Sequence, residues 1–261
     1  MSEEHSVAYE GIAGLLEAVW GEGYLSPGGP EEIAFLLEGV DLSGREVLDV
    51  GCGVGGIDLL LVQQCGAGRV VGVDVDAALV EQASRRAAER GLSDHAIFRA
   101  VEPGPLPFPN GSFDVVFSKD SILHIADKEG FCVEVHRVLR PGGLFVASDW
   151  MRRDDNPPSA AMEHYLELEG LGFGMGSPAR YRRALQAAGF ARIETRDRNA
   201  WYRRLAREEL ARLTGPLHAE LARRMDPDLL EREIGVWRAM IPVVDSGELR
   251  PGHLRAVKPA A

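Results

Sequence analysis

Val47-Leu48-Asp49-Val50-Gly51-Cys52-Gly53-Val54-Gly55-Gly56 is a short apolar run that ends in clustered glycines. The run has the length and branching of a buried strand, and the glycines let the backbone turn sharply and approach a ligand, because no Cβ intervenes. A strand that feeds such a turn and then a helix is the opening unit of an α/β sheet. Ligands of such sheets lie at the carboxyl ends of the strands.

Outward from this stretch the alternation continues. Strands are predicted at 45–51, 69–75, 95–100, 113–118, 144–150, 192–197 and 253–258. Helices are predicted at 6–20, 29–39, 55–65, 77–90, 128–139, 158–170, 178–188, 203–213 and 226–240. Asn110-Gly111 marks a turn, and Pro141-Gly142-Gly143 a stop between helix and strand. The pattern predicts a parallel sheet with helices on both faces. A helical cap is expected from the N-terminus and from the irregular 151–185 region. Residues 1–40 read as cap helices and a loop over the site, 41–150 as the binding core, and 151–261 as a cap insertion that completes the sheet.

The chain has 261 residues, 40 acids against 29 lysines and arginines, and a formal net charge of −11, so it carries no field to attract a phosphate backbone. Nucleic acid is therefore not an expected partner, and a small or cationic ligand fits better. The cysteines Cys52, Cys65 and Cys132 have no CxxC spacing, and the histidines have no ligand spacing, so neither a disulfide framework nor a metal is expected. The start lacks a basic and apolar leader, and no apolar run is long enough to span a membrane, which predicts a soluble, cytoplasmic protein.

Gly51, Gly53 and Gly56 satisfy GxGxxG, which brings a nicotinamide or flavin dinucleotide into consideration. Asp74, closing the second strand, can accept both hydroxyls of a ribose, while Asp76 is placed to cap the following helix. Asp49 distinguishes the ligands. A carboxylate beside a pyrophosphate is repelled, whereas beside an ammonium and a sulfonium it is stabilised. S-adenosylmethionine carries both cations and no phosphate.

VLDVGCGVGG (47–56), the acidic end of VVGVDV (70–75), LPFPNGSFDVVFS (106–118) and VLRPGG (138–143) together resemble the successive motifs of the class I S-adenosylmethionine-dependent methyltransferases. The resemblance implies a Rossmann-like sheet, with Asp49, Gly51 and Gly53 at the methionine part of the cofactor and Asp74, with Val75 beside it, at the ribose. It places Glu102 of RAVEP near the adenine amino group.

A narrower resemblance runs over almost the whole chain. Gly21-Glu22-Gly23-Tyr24-Leu25-Ser26-Pro27-Gly28-Gly29, Ser118-Lys119-Asp120-Ser121-Ile122-Leu123-His124, Ser148-Asp149-Trp150 and Gly235-Val236-Trp237 look like the phosphoethanolamine N-methyltransferases. That implies that the loop with Tyr24, Leu25 and Ser26 closes over the cofactor. It also implies that Asp120 and His124 lie near the transferred methyl, with Lys119 in place of the family's arginine. Tyr9 corresponds to its N-terminal catalytic tyrosine. Where that family binds phosphate this chain departs from it: Tyr165 matches a tyrosine, but Glu169 and Leu171 stand at the arginine and second tyrosine positions and Met240 at the lysine position.

The expected function is methylation of a small molecule, most readily an amine nitrogen without a phosphate. A phosphoethanolamine-type enzyme and an S- or O-methyltransferase remain alternatives, as do an NAD(P)-dependent oxidoreductase and a non-catalytic partner subunit. His124 is the expected base, with Asp120 one helical turn before it to orient the imidazole or hold the ammonium. Trp150, Tyr165 and Tyr181 with Glu169 suit a cationic acceptor. Arg203, Arg204, Arg207, Arg212, Glu208 and Glu209 read as surface partners.

Overall fold

The structure is a computed structural model that describes the backbone of residues 3–260 and the side chains of residues 12–260. Two leading helices, α1 (Glu3–Trp20) and α2 (Gly29–Leu36), precede the first strand. Then come β1 (Glu46–Val50), α3 (Gly56–Gln63), β2 (Arg69–Asp74), α4 (Ala77–Glu89), β3 (Ala96–Ala100) and β4 (Phe113–Lys119). After a 3-10 turn at Ile122–His124 follow α5 (Lys128–Val138), β5 (Leu139–Arg152), α6 (Ala160–Glu169), α7 (Pro178–Ala187) and β6 (Ala191–Asp197). The chain ends with α8 (Asn199–Leu213), α9 (His218–Leu221), α10 (Pro227–Asp245) and β7 (Leu249–Val257).

The seven strands form one sheet in the order β3-β2-β1-β4-β5-β7-β6. β1 to β5 pair in parallel, and β7 runs antiparallel to both β5 and β6. This is the Rossmann-like arrangement expected, but the sheet is mixed and not parallel throughout, because β7 returns antiparallel between β5 and β6. After β3 the chain crosses to the other side of β1, so β1 and β4 diverge at the switch point where such sheets bind ligands.

Side chains alternate across the pleat. Leu48, Val71, Val116 and Phe145 pack with Phe131, Val135 and Leu185 of α5 and α7. Val47, Val70, Val115 and Val146 pack on the opposite face with Ile33 and Leu36 of α2 and Leu61 of α3. A separate apolar cluster joins Leu15 and Val19 of α1, Met162 of α6, Ala206 of α8 and Ile234 of α10 into a helical layer.

Helix starts follow capping chemistry. Asp76 accepts from Ala78 N (2.9 Å) and Leu79 N (3.2 Å) at α4, and Asp127 accepts from Gly130 N (2.8 Å) at α5. α5 ends at Val138, ahead of Pro141-Gly142-Gly143 as expected, but β5 begins at Leu139, earlier than the expected 144. Phe113 pairs with Leu139 and the next partners are Val115 and Leu144, so the three residues are taken up as an irregularity within β5. The last helices are longer than their patterns suggest: α8 begins at Asn199, and α10 passes through Pro242 to Asp245. No helix among the described residues is long and apolar enough to cross a membrane.

Leu48 is wholly buried at the centre of the sheet. Leu48→Ala should lower the unfolding free energy in urea by ~2–5 kcal/mol, the cost of a cavity in a close-packed core.

Candidate active site

At the end of β1 the chain turns through Gly51 (φ 83°), where a Cβ would lie 1.8 Å from Ser121 Oγ. Only glycine fits there. Asp74, at the end of β2, accepts from Gly53 N (2.9 Å) and Asp76 N (3.0 Å), so one carboxylate fixes both the glycine loop and the start of α4. Burial raises the Asp74 pKa, and the backbone donors oppose the rise. Around this loop lies a cavity of about 630 Å3, within the range of small-molecule and cofactor sites. Leu25, Ser26, Gly51, Gly53, Asp74, Val75, Glu102 and Lys119 line it, as do Asp120 and His124.

Two expected contacts are not made. Tyr24 packs beside the cluster of α2, α3 and β1 and does not line the cavity. Asp49 is 2% exposed and lies behind the glycine loop, against Asp58 of α3. Its position in β1 turns it toward the helix. Burial of these two carboxyls side by side pushes both upward, as two like charges cannot ionise together out of water.

The loop after α1 lies directly on the glycine turn: a Cβ on Gly56 would stand 2.2 Å from Gly23 O. Glu17 secures it, accepting from Gly23 N (2.6 Å) and Arg86 Nη2 (2.5 Å). Glu17 and Arg86 carry no sequence signal, because their partners come from α1 and α4 and meet only in the fold.

A second cavity, of about 80 Å3, is lined by α1, α6, α8, α10 and the residues near Phe173. Trp150, Tyr165 and Glu169 line it as expected, and so do Leu171 and Met240, at the positions where the resemblance implies phosphate ligands. Trp237 of the Gly235-Val236-Trp237 motif also lines it, as do Trp20, Phe173, Tyr202 and Glu233, which were not singled out from sequence. Tyr165 donates to Glu169 Oε1 (3.0 Å). Burial pushes the Glu169 pKa up to about 7, with Tyr165 opposing and the nearby Glu233 charge adding to it. Glu233 pairs with Arg232 at 3.0 Å. No lysine or arginine is among the described residues that line this cavity.

Leu25, Ser26 and Asp120 line both cavities and so mark where they meet. Asp120 is left-handed (φ 54°), an uncommon conformation that Asp tolerates better than most residues and that gathers at functional sites. Lys119 Nζ donates to Asp120 Oδ2 (2.5 Å) and Ser26 Oγ (2.9 Å), and Ser148 Oγ donates to Asp120 Oδ1 (3.0 Å).

The expected helical turn from Asp120 to His124 is not formed. Asp120 turns out of β4, His124 ends a 3-10 turn, and the Asp120 carboxylate serves Lys119 and Ser148. The His124 ring packs edge-on to Phe173 at 5.2 Å between centroids. Beneath the turn, Lys128 is fully buried and donates to Ile122 O (2.6 Å) and Ile125 O, and Asp149 Oδ1 accepts from Leu123 N (2.9 Å). Desolvation lowers the Lys128 pKa and raises that of Asp149, and each charge opposes the other's shift.

Tyr181 is not an acceptor residue: it lies in the core under β5, donates to Asp149 Oδ2, and lines neither cavity. Its helix buries that face against the sheet. Tyr9 lies outside the residues whose side chains are described. Glu209 is not a surface partner but 1% exposed, with three aromatic donors around it. No group of three or more His, Cys, Asp or Glu among the described residues could hold a metal.

Residues 48–147 match the methyltransferase domain family. The chain is 34% identical over 198 residues to phosphoethanolamine N-methyltransferase 1 of Arabidopsis thaliana, covering 76% of this chain and 39% of that one. It is 31% identical over 243 residues to phosphoethanolamine N-methyltransferase 1 of Triticum aestivum, covering 93% and 47%. The chain thus spans less than half the length of these curated relatives. Its fold is similar to phosphoethanolamine N-methyltransferase 2 of Haemonchus contortus, solved with phosphomonomethylethanolamine and S-adenosylhomocysteine. There the TM-score is 0.85 at 22% identity, over 94% of this chain and 56% of that one.

The raised Glu169 pKa has a signed consequence. The folded protein holds this proton up to about pH 7, whereas an ordinary glutamate releases it near 4.5, so folded protein binds more protons across that window. Stability then falls as pH rises through it. Relative to Glu169→Gln, the unfolding free energy of the wild type should drop by ~1–3 kcal/mol between these limits in urea titrations.

Proposed function

Because this chain carries a methyltransferase domain of the class I S-adenosylmethionine-dependent family, we propose that it methylates an amine nitrogen of a small acceptor without a phosphate. The observation that carries this reading is the meeting of two unlike cavities at Asp120 and Ser26: one glycine-lined and large, the other small, aromatic and acidic. In this reading residues 41–150 bind the cofactor, while residues 1–40 and 151–261 cap it and form the acceptor site.

The residues suit S-adenosylmethionine. Gly51 and Gly53 leave backbone open where a Cβ would crowd Ser121 and Leu25. Asp49, Asp58 and Asp74 cluster behind and beside the loop with their pKa values raised by burial, so a ligand's ammonium and sulfonium would favour their charged forms, whereas a pyrophosphate would not. A dinucleotide is disfavoured: Lys119 is the one Lys or Arg among the described residues lining this cavity, and it is already paired with Asp120. Asp74 would take the ribose hydroxyls, Val75 and Glu102 the adenine side, and Gly51 and Gly53 the methionine part.

When bound, the cofactor supplies an electrophilic methyl group on sulfur. The protein's part is alignment, exclusion of water and proton management. The loop with Leu25 and Ser26 closes the space between the cavities. Asp120, held by Lys119 and Ser148, presents carboxylate oxygens at their junction. An alkylamine is mostly ammonium at neutral pH, so its nitrogen must shed a proton to free the lone pair that forms the N–C bond. His124, in the lining of the glycine-loop cavity, accepts that proton in this reading. Glu169 and Glu233 repel a phosphate and accept a cation or hydroxyl at the far end of the acceptor.

S-adenosylhomocysteine should bind the isolated chain in calorimetry, and Asp74→Ala should weaken it by about tenfold or more, as expected for a lost charge-assisted hydrogen-bond partner. His124→Asn should lower kcat by ~10²-fold or more. In mass-spectrometric turnover assays, phosphate-free amines should outperform phosphoethanolamine, and comparable turnover of phosphoethanolamine would overturn the assignment of Glu169.

A further inference from the structure

This inference deepens that reading and rests on it: it concerns what the aromatic cavity recognises. Glu209 lies on α8 behind the wall of that cavity and does not line it. Its Oε1 accepts from Trp20 Nε1 of α1 (2.7 Å), and its Oε2 accepts from Tyr202 Oη of α8 (3.0 Å) and Trp237 Nε1 of α10 (3.1 Å). All three donors belong to rings that line the cavity. One carboxylate thus fixes side chains from three helices, and the rings of Trp20 and Trp237 lie 5.8 Å apart as a tilted pair. A fourth ring, Trp150, stands edge-on to Tyr202 at 4.6 Å.

A carboxylate is a costly group for this task. Burial penalises its charged form, the three ring donors and then the Arg212 charge oppose that penalty, and no lysine or arginine among the described residues forms an ion pair with it. A glutamine would fill the same space without the charge. The charge alters the wall itself: donors hydrogen-bonded to a carboxylate pass electron density to their rings, which strengthens the attraction of the ring faces for a cation. Of the two acids in the lining, Glu233 is paired with Arg232, which does not itself line the cavity, and Glu169 has its pKa raised to about 7, so the described lining carries acids and no cation. Aromatic faces backed by buried negative charge suit a weakly hydrated organic cation and repel an anion.

We propose that Glu209 is the positioning residue of an aromatic wall that selects a small alkylammonium ion as the acceptor. The ligand supplies a positive charge to a lining whose described residues include no lysine or arginine.

The test uses tetramethylammonium, which has no nitrogen lone pair and cannot be methylated, added to the full chain saturated with S-adenosylhomocysteine. Binding is read by calorimetry and by tryptophan fluorescence, since Trp20, Trp150 and Trp237 line the cavity. The neutral tert-butyl alcohol serves as the size-matched control and sodium chloride as the ionic control. The wild type should bind tetramethylammonium saturably, at least about tenfold tighter than tert-butyl alcohol. Glu209→Gln should weaken tetramethylammonium by about tenfold and leave tert-butyl alcohol and S-adenosylhomocysteine unchanged. A purely structural role would weaken all three together, and that result overturns the proposal. So does equal binding of cation and alcohol by the wild type, a comparison that stands even where the variant does not fold. Failure of S-adenosylhomocysteine to bind the wild type would count instead against the methyltransferase reading.

Discussion

Lys119 brings a nearly buried ammonium to the end of β4, where the chain leaves the sheet, and donates it to Ser26 and Asp120. Ser26 belongs to the loop after α1, and Asp120 opens the turn that carries His124. The bond network therefore ties the covering loop to the sheet at the junction of the two cavities. Without it, a left-handed aspartate and a serine would share a dry corner with no counter-charge. The placement of the covering loop, the boundary between cavities and the direction of the Asp120 carboxylate all depend on this contact.

Around that point the two halves of the site are built differently. The glycine-loop side is made at strand ends, whose positions are fixed by the parallel ladder from β3 through β5. Its groups are mostly backbone and short acids. The aromatic side is made of helices packed on one another, and its groups are long side chains held by a few buried carboxylates. Such a layer can change its lining by substitution without disturbing the sheet. That separation lets one sheet carry different helical linings, and here the lining includes Glu169, Leu171 and Met240.

The same difference explains what the sequence discloses. The sheet order, the glycine turn, Asp74 and Lys119 are legible because each lies in a short segment whose pattern is set by its own strand or turn. Leu171 and Met240 are marked by the resemblance as places of departure, and both line the aromatic cavity. Glu209 does not, since it follows Glu208 on a helix rich in arginine and looks like part of a solvated face. Only its approach to Trp20, 189 positions away, reveals its role. Tyr181 fails in the reverse direction: an aromatic on an amphipathic helix fits a cavity or a core equally well until the helix is docked. The Asp120–His124 spacing suggests a helical turn, but the strand end imposes a left-handed residue and a 3-10 turn instead.

Asp49 and Asp58 lie buried together behind the glycine loop, and burial side by side pushes both pKa values up, so a full negative charge on each is costly there. A cation in the crevice would favour the charged form of the pair, whereas a neutral or anionic visitor would not. Part of the electrostatic preference of the crevice thus resides in residues that no ligand atom has to touch.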